Sequence, residues 1–167
     1  AGLDDHRLRL LISTRTGGQG SQFIENADEG ATTVVELPLG GFGLADSDRR
    51  RLFIATGTGI APMLAMFAQA PGLEHDTLLF GCRHRDEDLT SLIESPMPGR
   101  VVRCLSREEA PDTFHGRVTD ALPEVIDGTD LDPDQTDVYL CGSAAMVSDT
   151  HRFLGRAGYE SIHTEPY

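Results

Sequence analysis

Leu52-Phe53-Ile54-Ala55-Thr56-Gly57-Thr58-Gly59-Ile60-Ala61-Pro62 is the stretch that decides the fold. Leu52 to Ala55 is a short apolar run, as expected of a strand buried on both faces of a parallel sheet. Gly57 and Gly59 then turn the chain. Ile60, Met63, Leu64 and Phe67 recur at helical spacing, with Pro62 in the first turn, where its missing N–H is tolerated. The same rhythm continues downstream. Thr77 to Phe80 reads as a strand, Arg83 to Ser95 as a polar turn and helix, Val101 to Leu105 as a strand and Val118 to Ile126 as a short helix. After the acidic loop Asp127 to Asp137 comes a strand, Val138 to Leu140. The helix Ala144 to Arg156 follows, with Met146, Val147, Thr150, Phe153 and Leu154 on one face, and Ser161 to Thr164 reads as a last short strand. Alternating strands and helices predict an α/β fold with a doubly wound parallel sheet. Ligands of such sheets sit beyond the carboxyl ends of the strands, here the loops after Ala55, Phe80, Leu105 and Leu140.

Upstream the pattern differs. Leu8 to Ser13 reads as a strand, Gly17-Gly18-Gln19-Gly20 as a turn, and Ser21 as the N-cap of a short helix through Ile24 to Ala27. Thr33 to Leu37 reads as a further strand, followed by the glycine-rich Pro38 to Leu44 and a polar, charged junction from Ala45 to Arg51. The domain division expected is 1–48 and 49–167. The Ala-Gly-Leu-Asp-Asp opening suggests numbering that begins inside a larger gene product.

Charge narrows the range of partners. Fourteen basic residues, all arginine, face 27 acidic ones, a net charge of −13. Self-repulsion on that scale argues against nucleic acid or an anionic membrane as partner. No apolar run approaches the roughly 20 residues that span a bilayer. Cys82, Cys104 and Cys141 are odd in number and lack C-x-x-C spacing, which favours a reducing, cytoplasmic setting over a disulfide framework or zinc site. The histidines are scattered, and no metal is assigned.

Glycines at Gly57 and Gly59 let a phosphate approach the backbone closely, and a helix start supplies N–H donors and positive dipole. Taken singly, the segment is equally an ordinary tight turn, lacking the third glycine of G-x-G-x-x-G. Tyr139-Leu140-Cys141-Gly142-Ser143-Ala144-Ala145-Met146-Val147 is, by itself, a buried cysteine followed by a helix cap. Their order along the chain carries more weight. Gly57-Thr58-Gly59-Ile60-Ala61-Pro62, Leu79-Phe80-Gly81-Cys82-Arg83, Leu105-Ser106-Arg107-Glu108, Tyr139 to Val147 and Glu165-Pro166-Tyr167 follow one another at strand ends. That series resembles the nucleotide-binding domain of the ferredoxin–NADP reductase family throughout residues 52–167. Gly18-Gln19-Gly20-Ser21 resembles the flavin pyrophosphate-binding segment of the same family, and Gly40 and Phe42 the entry to its second domain. The family's antiparallel flavin barrel, with its Arg-x-Tyr-Ser signature, has no counterpart here, because residues 1–44 are too few for about six strands of roughly 5–6 residues each. The resemblance therefore implies a remnant of that barrel ahead of the parallel sheet.

The resemblance implies a flavin-dependent oxidoreductase that passes hydride from NAD(P)H to FAD, and electrons on to a carrier protein such as ferredoxin, flavodoxin or an oxygenase component. It assigns Gly57, Thr58 and Gly59 to the nucleotide pyrophosphate. Cys141 would lie beside the nicotinamide carbon that carries the hydride, with Gly142 and Met146 shaping the pocket. Glu165 would supply a carboxylate there, and Tyr167 a displaceable aromatic cover for the flavin. Gly18, Gln19, Gly20 and Ser21 would hold the FAD pyrophosphate. Arg83 would contact the adenosine side. Ser106 and Arg107 would meet a 2′-phosphate, with Arg117 as a second contact, and this tilts the reading toward NADPH; Glu108 and Glu109 oppose it electrostatically. The competing readings are an NADH-dependent oxygenase reductase component and a stand-alone nucleotide-binding module without flavin.

Overall fold

The computed structural model describes residues 3–4, 7–15, 17–36, 40–94 and 96–167. The chain divides into two compact units, residues 2–41 and residues 42–167. Among the described residues, no helix is long and apolar enough to cross a membrane.

The smaller unit holds a short antiparallel pair, β1 (Leu3–Asp4) with β2 (Arg7–Leu8), and one helix, α1 (Gln19–Asn26). Two strands expected here do not form. Of Leu8 to Ser13 only Leu8 is in a strand, and residues 33–36 are irregular, with Leu37 outside the described residues. Val34 is 98 % exposed. An apolar run becomes a strand only when a ladder partner and a covered face are available. The helix also starts earlier than expected: Gly18 is its N-cap and Ser21 lies inside its first turn, buried.

The larger unit is a six-stranded sheet. Its strands are β3 (Arg50–Thr56), β4 (Thr77–Cys82), β5 (Arg100–Leu105), β6 (Phe114–His115), β7 (Thr136–Gly142) and β8 (Ile162–Pro166). They lie in the order β6-β5-β4-β3-β7-β8, and every pairing is parallel. Helices cover both faces, as a parallel sheet requires. On one face α3 (Val118–Asp127) and α4 (Ala144–Arg156) pack Val118, Leu122, Val147 and Leu154 against Leu52, Ile54, Leu79, Val138 and Leu140. On the other, α2 (Ile60–Phe67) sets Phe67 edge-on to Phe53, ring centroids 5.0 Å apart, and Phe53 stacks on Tyr139. The polar stretch after Phe42 is tied to this unit. The Ala45 N–H donates to the Tyr139 hydroxyl at 3.0 Å, and the Ser47 hydroxyl donates to Asp137.

The helix expected over Arg83 to Ser95 is replaced by two 3-10 turns, Arg85–Glu87 and Leu89–Leu92. Asp88 accepts the Thr90 N–H, the local bond by which such residues compete with a helix; Ser95 lies outside the described residues.

Candidate functional site

The chain leaves β3 toward β4, β5 and β6 on one side and returns to β7 and β8 on the other. The crevice of a doubly wound sheet opens at this switch, between the carboxyl ends of β3 and β7. The Gly57–Gly59 turn ends β3 and leads directly into α2. Gly59 is buried against the Cys141–Gly142 peptide: a Cβ there would stand 2.6 Å from the Cys141 carbonyl carbon and 2.9 Å from the Gly142 nitrogen. The two loops that looked weak singly are thus one surface. No side chain caps the turn or α2, and neither carries an acidic residue in its first turn, which leaves this end open to an anion. On the β7 side, Ser143 caps α4 by accepting the Met146 N–H at 3.4 Å.

The last strand brings the remaining groups to the same place. β8 pairs Cys141 with Glu165 and Gly142 with Pro166. The Tyr167 N–H donates to the Gly142 carbonyl at 3.0 Å, and its hydroxyl donates to the Thr56 carbonyl at 2.7 Å. Its hydroxyl lies 3.1 Å from the point a Cβ on Gly57 would occupy. Burial, with the Glu165 carboxylate adding to it, pushes the Cys141 thiol up to about 11. It is therefore a neutral thiol at pH 7. Thr56 escaped the sequence reading, although its hydroxyl packs on Gly142 and its carbonyl anchors Tyr167. A hydroxyl residue closing an apolar strand ahead of the glycines was the available signal.

Arg83, Ser106 and Arg107 line the same edge of the sheet, at the ends of β4 and β5. Two strand spacings, about 10 Å, separate β5 from β3. The Ser106 N–H and hydroxyl both donate to the Cys82 carbonyl (3.0 and 3.3 Å), and the Arg107 N–H donates to the Arg83 carbonyl (3.0 Å). Arg83, Arg107 and Arg117 are exposed. Gly57, Thr58, Gly59, Arg83, Ser106, Arg107, Cys141, Gly142, Met146, Glu165 and Tyr167 are accordingly gathered at the carboxyl end of one sheet, whereas Gly18, Gln19, Gly20 and Ser21 belong to the other unit.

This arrangement has counterparts among known proteins. Residues 53–152 match the model of the oxidoreductase NAD-binding domain. The chain is also 31 % identical to ferredoxin–NADP reductase B of Sorangium cellulosum over 180 residues, covering 96 % of this chain and 72 % of that protein. The chain belongs to the oxidoreductase NAD-binding domain family. The resemblance to ferredoxin–NADP reductases drawn from residues 52–167 is borne out. The fold agrees with that of a ferredoxin NADP+ reductase from Neisseria gonorrhoeae, solved with bound FAD and NADP, at a TM-score of 0.74 and 24 % identity, covering 89 % of this chain and 70 % of that one. The toluate 1,2-dioxygenase electron transfer component of Pseudomonas putida is 29 % identical over 93 % of this chain, and the xylene/toluene monooxygenase electron transfer component of the same organism 31 % over 92 %. The chain spans about half the length of these two relatives, 48 % and 46 %. Within this NAD-binding domain the matched residues include the Gly57–Gly59 turn, Cys141 and Gly142, and stop short of Glu165 and Tyr167.

Proposed function

We propose that this chain is the dinucleotide-binding part of an NAD(P)H-dependent flavoprotein reductase, whose electrons leave through a carrier protein such as ferredoxin, flavodoxin or an oxygenase component. The observation that carries the proposal is the meeting of Gly57–Gly59, Cys141–Gly142 and Glu165 at the switch between β3 and β7. The relatives' names, electron transfer components of oxygenases and a ferredoxin–NADP reductase, support the reaction class. Residues 1–48 are read as part of a flavin-binding domain and residues 49–167 as the nucleotide domain.

The residues fit a nicotinamide dinucleotide. The uncapped glycine turn offers backbone N–H groups and the start of α2 to a pyrophosphate. They also offer FAD one element, the start of α1 at Gly18, which carries no side-chain cap and no acidic residue in its first turn. When bound, a reduced nicotinamide supplies hydride and a flavin accepts it; the protein's part is orientation. Cys141 presents an uncharged, polarisable wall rather than a nucleophile, since its thiol stays protonated at neutral pH. Gly142, hemmed in by Thr56 and Met146, keeps the wall low enough for a planar ring. Glu165, opposite Cys141 and exposed, would set a carboxyl group beside a bound nicotinamide ring. Tyr167 covers Gly57 and must release the Thr56 carbonyl before a nucleotide can lie across that turn.

The test uses the full-length native gene product. It should be yellow as purified, and it should reduce ferricyanide with a nicotinamide donor. A colourless protein without that activity overturns the reading and leaves a stand-alone nucleotide-binding module in its place.

A further inference from the structure

The amino ends of the strands lie about 20 Å from the cleft described above, the length of a strand such as β3 or β4. A second cleft, of about 280 Å³, opens there between the starts of β3, β4 and β5 and the loop that follows α3. Strand register sets its polar wall. Leu52 pairs with Thr77, and Thr77 with Arg100, so these three side chains share one face of the sheet. Arg50, two residues before Leu52, shares that face as well. Arg50, Thr77 and Arg100 all line the cleft.

Each of the three has hydrogen-bonding capacity to spare. Thr77 is only 4 % exposed, yet its hydroxyl has no hydrogen-bond partner among the described residues. Hydroxyls so deeply placed are normally paired. The Arg100 guanidinium makes one long bond, from Nη1 to the Gly128 carbonyl at 3.4 Å, and so stands between the cleft and the negative end of α3. The Arg50 guanidinium lies 4.0 Å from Asp130, whose side chain is 93 % exposed. A guanidinium carries five N–H donors, so most of those on both arginines stay unused. The acids nearby are occupied or turned outward. Asp76 is held by Arg51 at 2.7 Å, and Glu74 is exposed beside His75.

We propose that this cleft binds a phosphate group, free or as the end of a small monoester. Two guanidiniums and a hydroxyl offer donors, and phosphate oxygens are acceptors that a guanidinium can take two at a time. Arg50 and Arg100 stand on strands about 10 Å apart, a gap that two such long side chains can close on one anion. The volume lies just below the roughly 300 Å³ at which pockets for drug-sized ligands begin, so it suits a phosphate with few further atoms and not a dinucleotide. The net charge of −13 repels anions from the molecule as a whole, but charges beyond about 10 Å are screened at 0.1 M salt, and the local arginines then decide. The proposal stands apart from the reductase reading, since no group of the nucleotide cleft takes part.

Proton–nitrogen spectra of the labelled full chain, titrated with inorganic phosphate, methyl phosphate and, at matched ionic strength, sodium chloride, test the site residue by residue. Inorganic phosphate should saturate, moving the amides of Thr77, Arg100 and Thr129 most, while chloride barely moves them. Methyl phosphate binding as tightly identifies a monoester as the ligand, and binding about tenfold weaker identifies free phosphate. The shifts should persist in the presence of ADP-ribose, which the reductase reading assigns to the other end of the sheet. Thr77→Val breaks no internal bond, so it should leave the thermal midpoint nearly unchanged and weaken phosphate binding about threefold or more. Arg50→Gln, at a half-exposed side chain, should fold normally and weaken it about tenfold. Shifts confined to Gly57–Gly59, equal shifts with chloride, or unchanged affinity in both variants would overturn the proposal and leave the reductase reading untouched.

Discussion

Gly59 shows how the site constrains single residues. Its backbone is helical, φ −61°, so the conformation itself would admit alanine without strain. Yet a Cβ would press on the backbone of Cys141 and Gly142, which cannot turn aside as a side chain can. Overpacking of that kind costs about 1–3 kcal/mol, so the steric term wins. Gly59→Ala should therefore lower the thermal midpoint, by about 2–4 °C per kcal/mol at this chain length, and weaken ADP-ribose binding. Gly142→Ala should cost at least as much, because its φ of +158° disfavours a side chain and a Cβ there would press on the Thr56 hydroxyl and stand 2.6 Å from the Met146 methyl. A differential scan in which Gly59→Ala is as stable as wild type would show that the two loops do not touch as described.

The cysteines give a second prediction at this scale. Burial pushes Cys82 and Cys104 up to about 12 and Cys141 to about 11. Only the thiolate alkylates at a useful rate, and at pH 8 the thiolate fraction at each site is below about one in a thousand, against roughly a quarter for an unperturbed thiol. Native protein treated with iodoacetamide at pH 8 should remain almost unmodified by mass, and unfolding in urea should expose all three sites. Rapid native labelling of Cys141 would mean that it is a reactive thiol, and its role as a neutral wall would fall. The candidate site was legible to this extent: glycine, cysteine and glutamate types at strand ends pointed to the cleft. The anchoring of Tyr167 on Thr56 and of Glu108 on Arg85 was not, because both run through backbone groups that no side-chain pattern encodes.

Among the elements, those most legible were the ones whose burial is complete. β3, β4 and β7 read as unbroken apolar runs because helices cover both faces, and α4 begins and ends at the residues its periodicity marks. Elements failed where a run stayed largely exposed, as over residues 9–13 and 33–36, or where Asp88 bonded its own backbone. At the opposite end of the sheet, the amino ends of β3 and β4 are joined by a pair of another kind. Asp76 accepts the Arg51 N–H at 3.0 Å and its Nε at 2.7 Å while only 2 % exposed. Burial outweighs the guanidinium and pushes the Asp76 carboxyl up to about 6, from 3.8. The folded state therefore binds the proton more tightly than the unfolded chain between about pH 4 and 6. The stabilisation this group contributes is complete below pH 4 and is lost as pH rises through 6, on the order of 3 kcal/mol at most. Asp76→Asn cannot titrate. Urea unfolding of both proteins from pH 4 to 7 should thus show wild type losing stability relative to the variant as pH rises; a gap that stays constant would refute the shifted carboxyl.

For the molecule as a whole, the division of labour between the two units is the remaining question, and it reduces to where the apolar core lies. Among the described residues, every buried apolar side chain falls between Leu52 and Tyr159, inside the unit of residues 42–167. That span is of ordinary single-domain size and closes its sheet with helices on both faces. Residues 2–41, by contrast, expose Leu10, Ile12, Phe23, Ile24, Val34 and Val35. A chain trimmed to residues 42–167 should then fold by itself, keeping the Ala45 and Ser47 bonds to β7 that a cut at residue 49 would remove. Its urea unfolding should be a single transition with a midpoint at or above that of the 167-residue chain, and its affinity for ADP-ribose should be unchanged, because the groups at the ends of β3, β5 and β7 are all retained. Loss of the cooperative transition on trimming would show that residues 1–41 complete the core. Folding with loss of nucleotide binding would show instead that they complete the site.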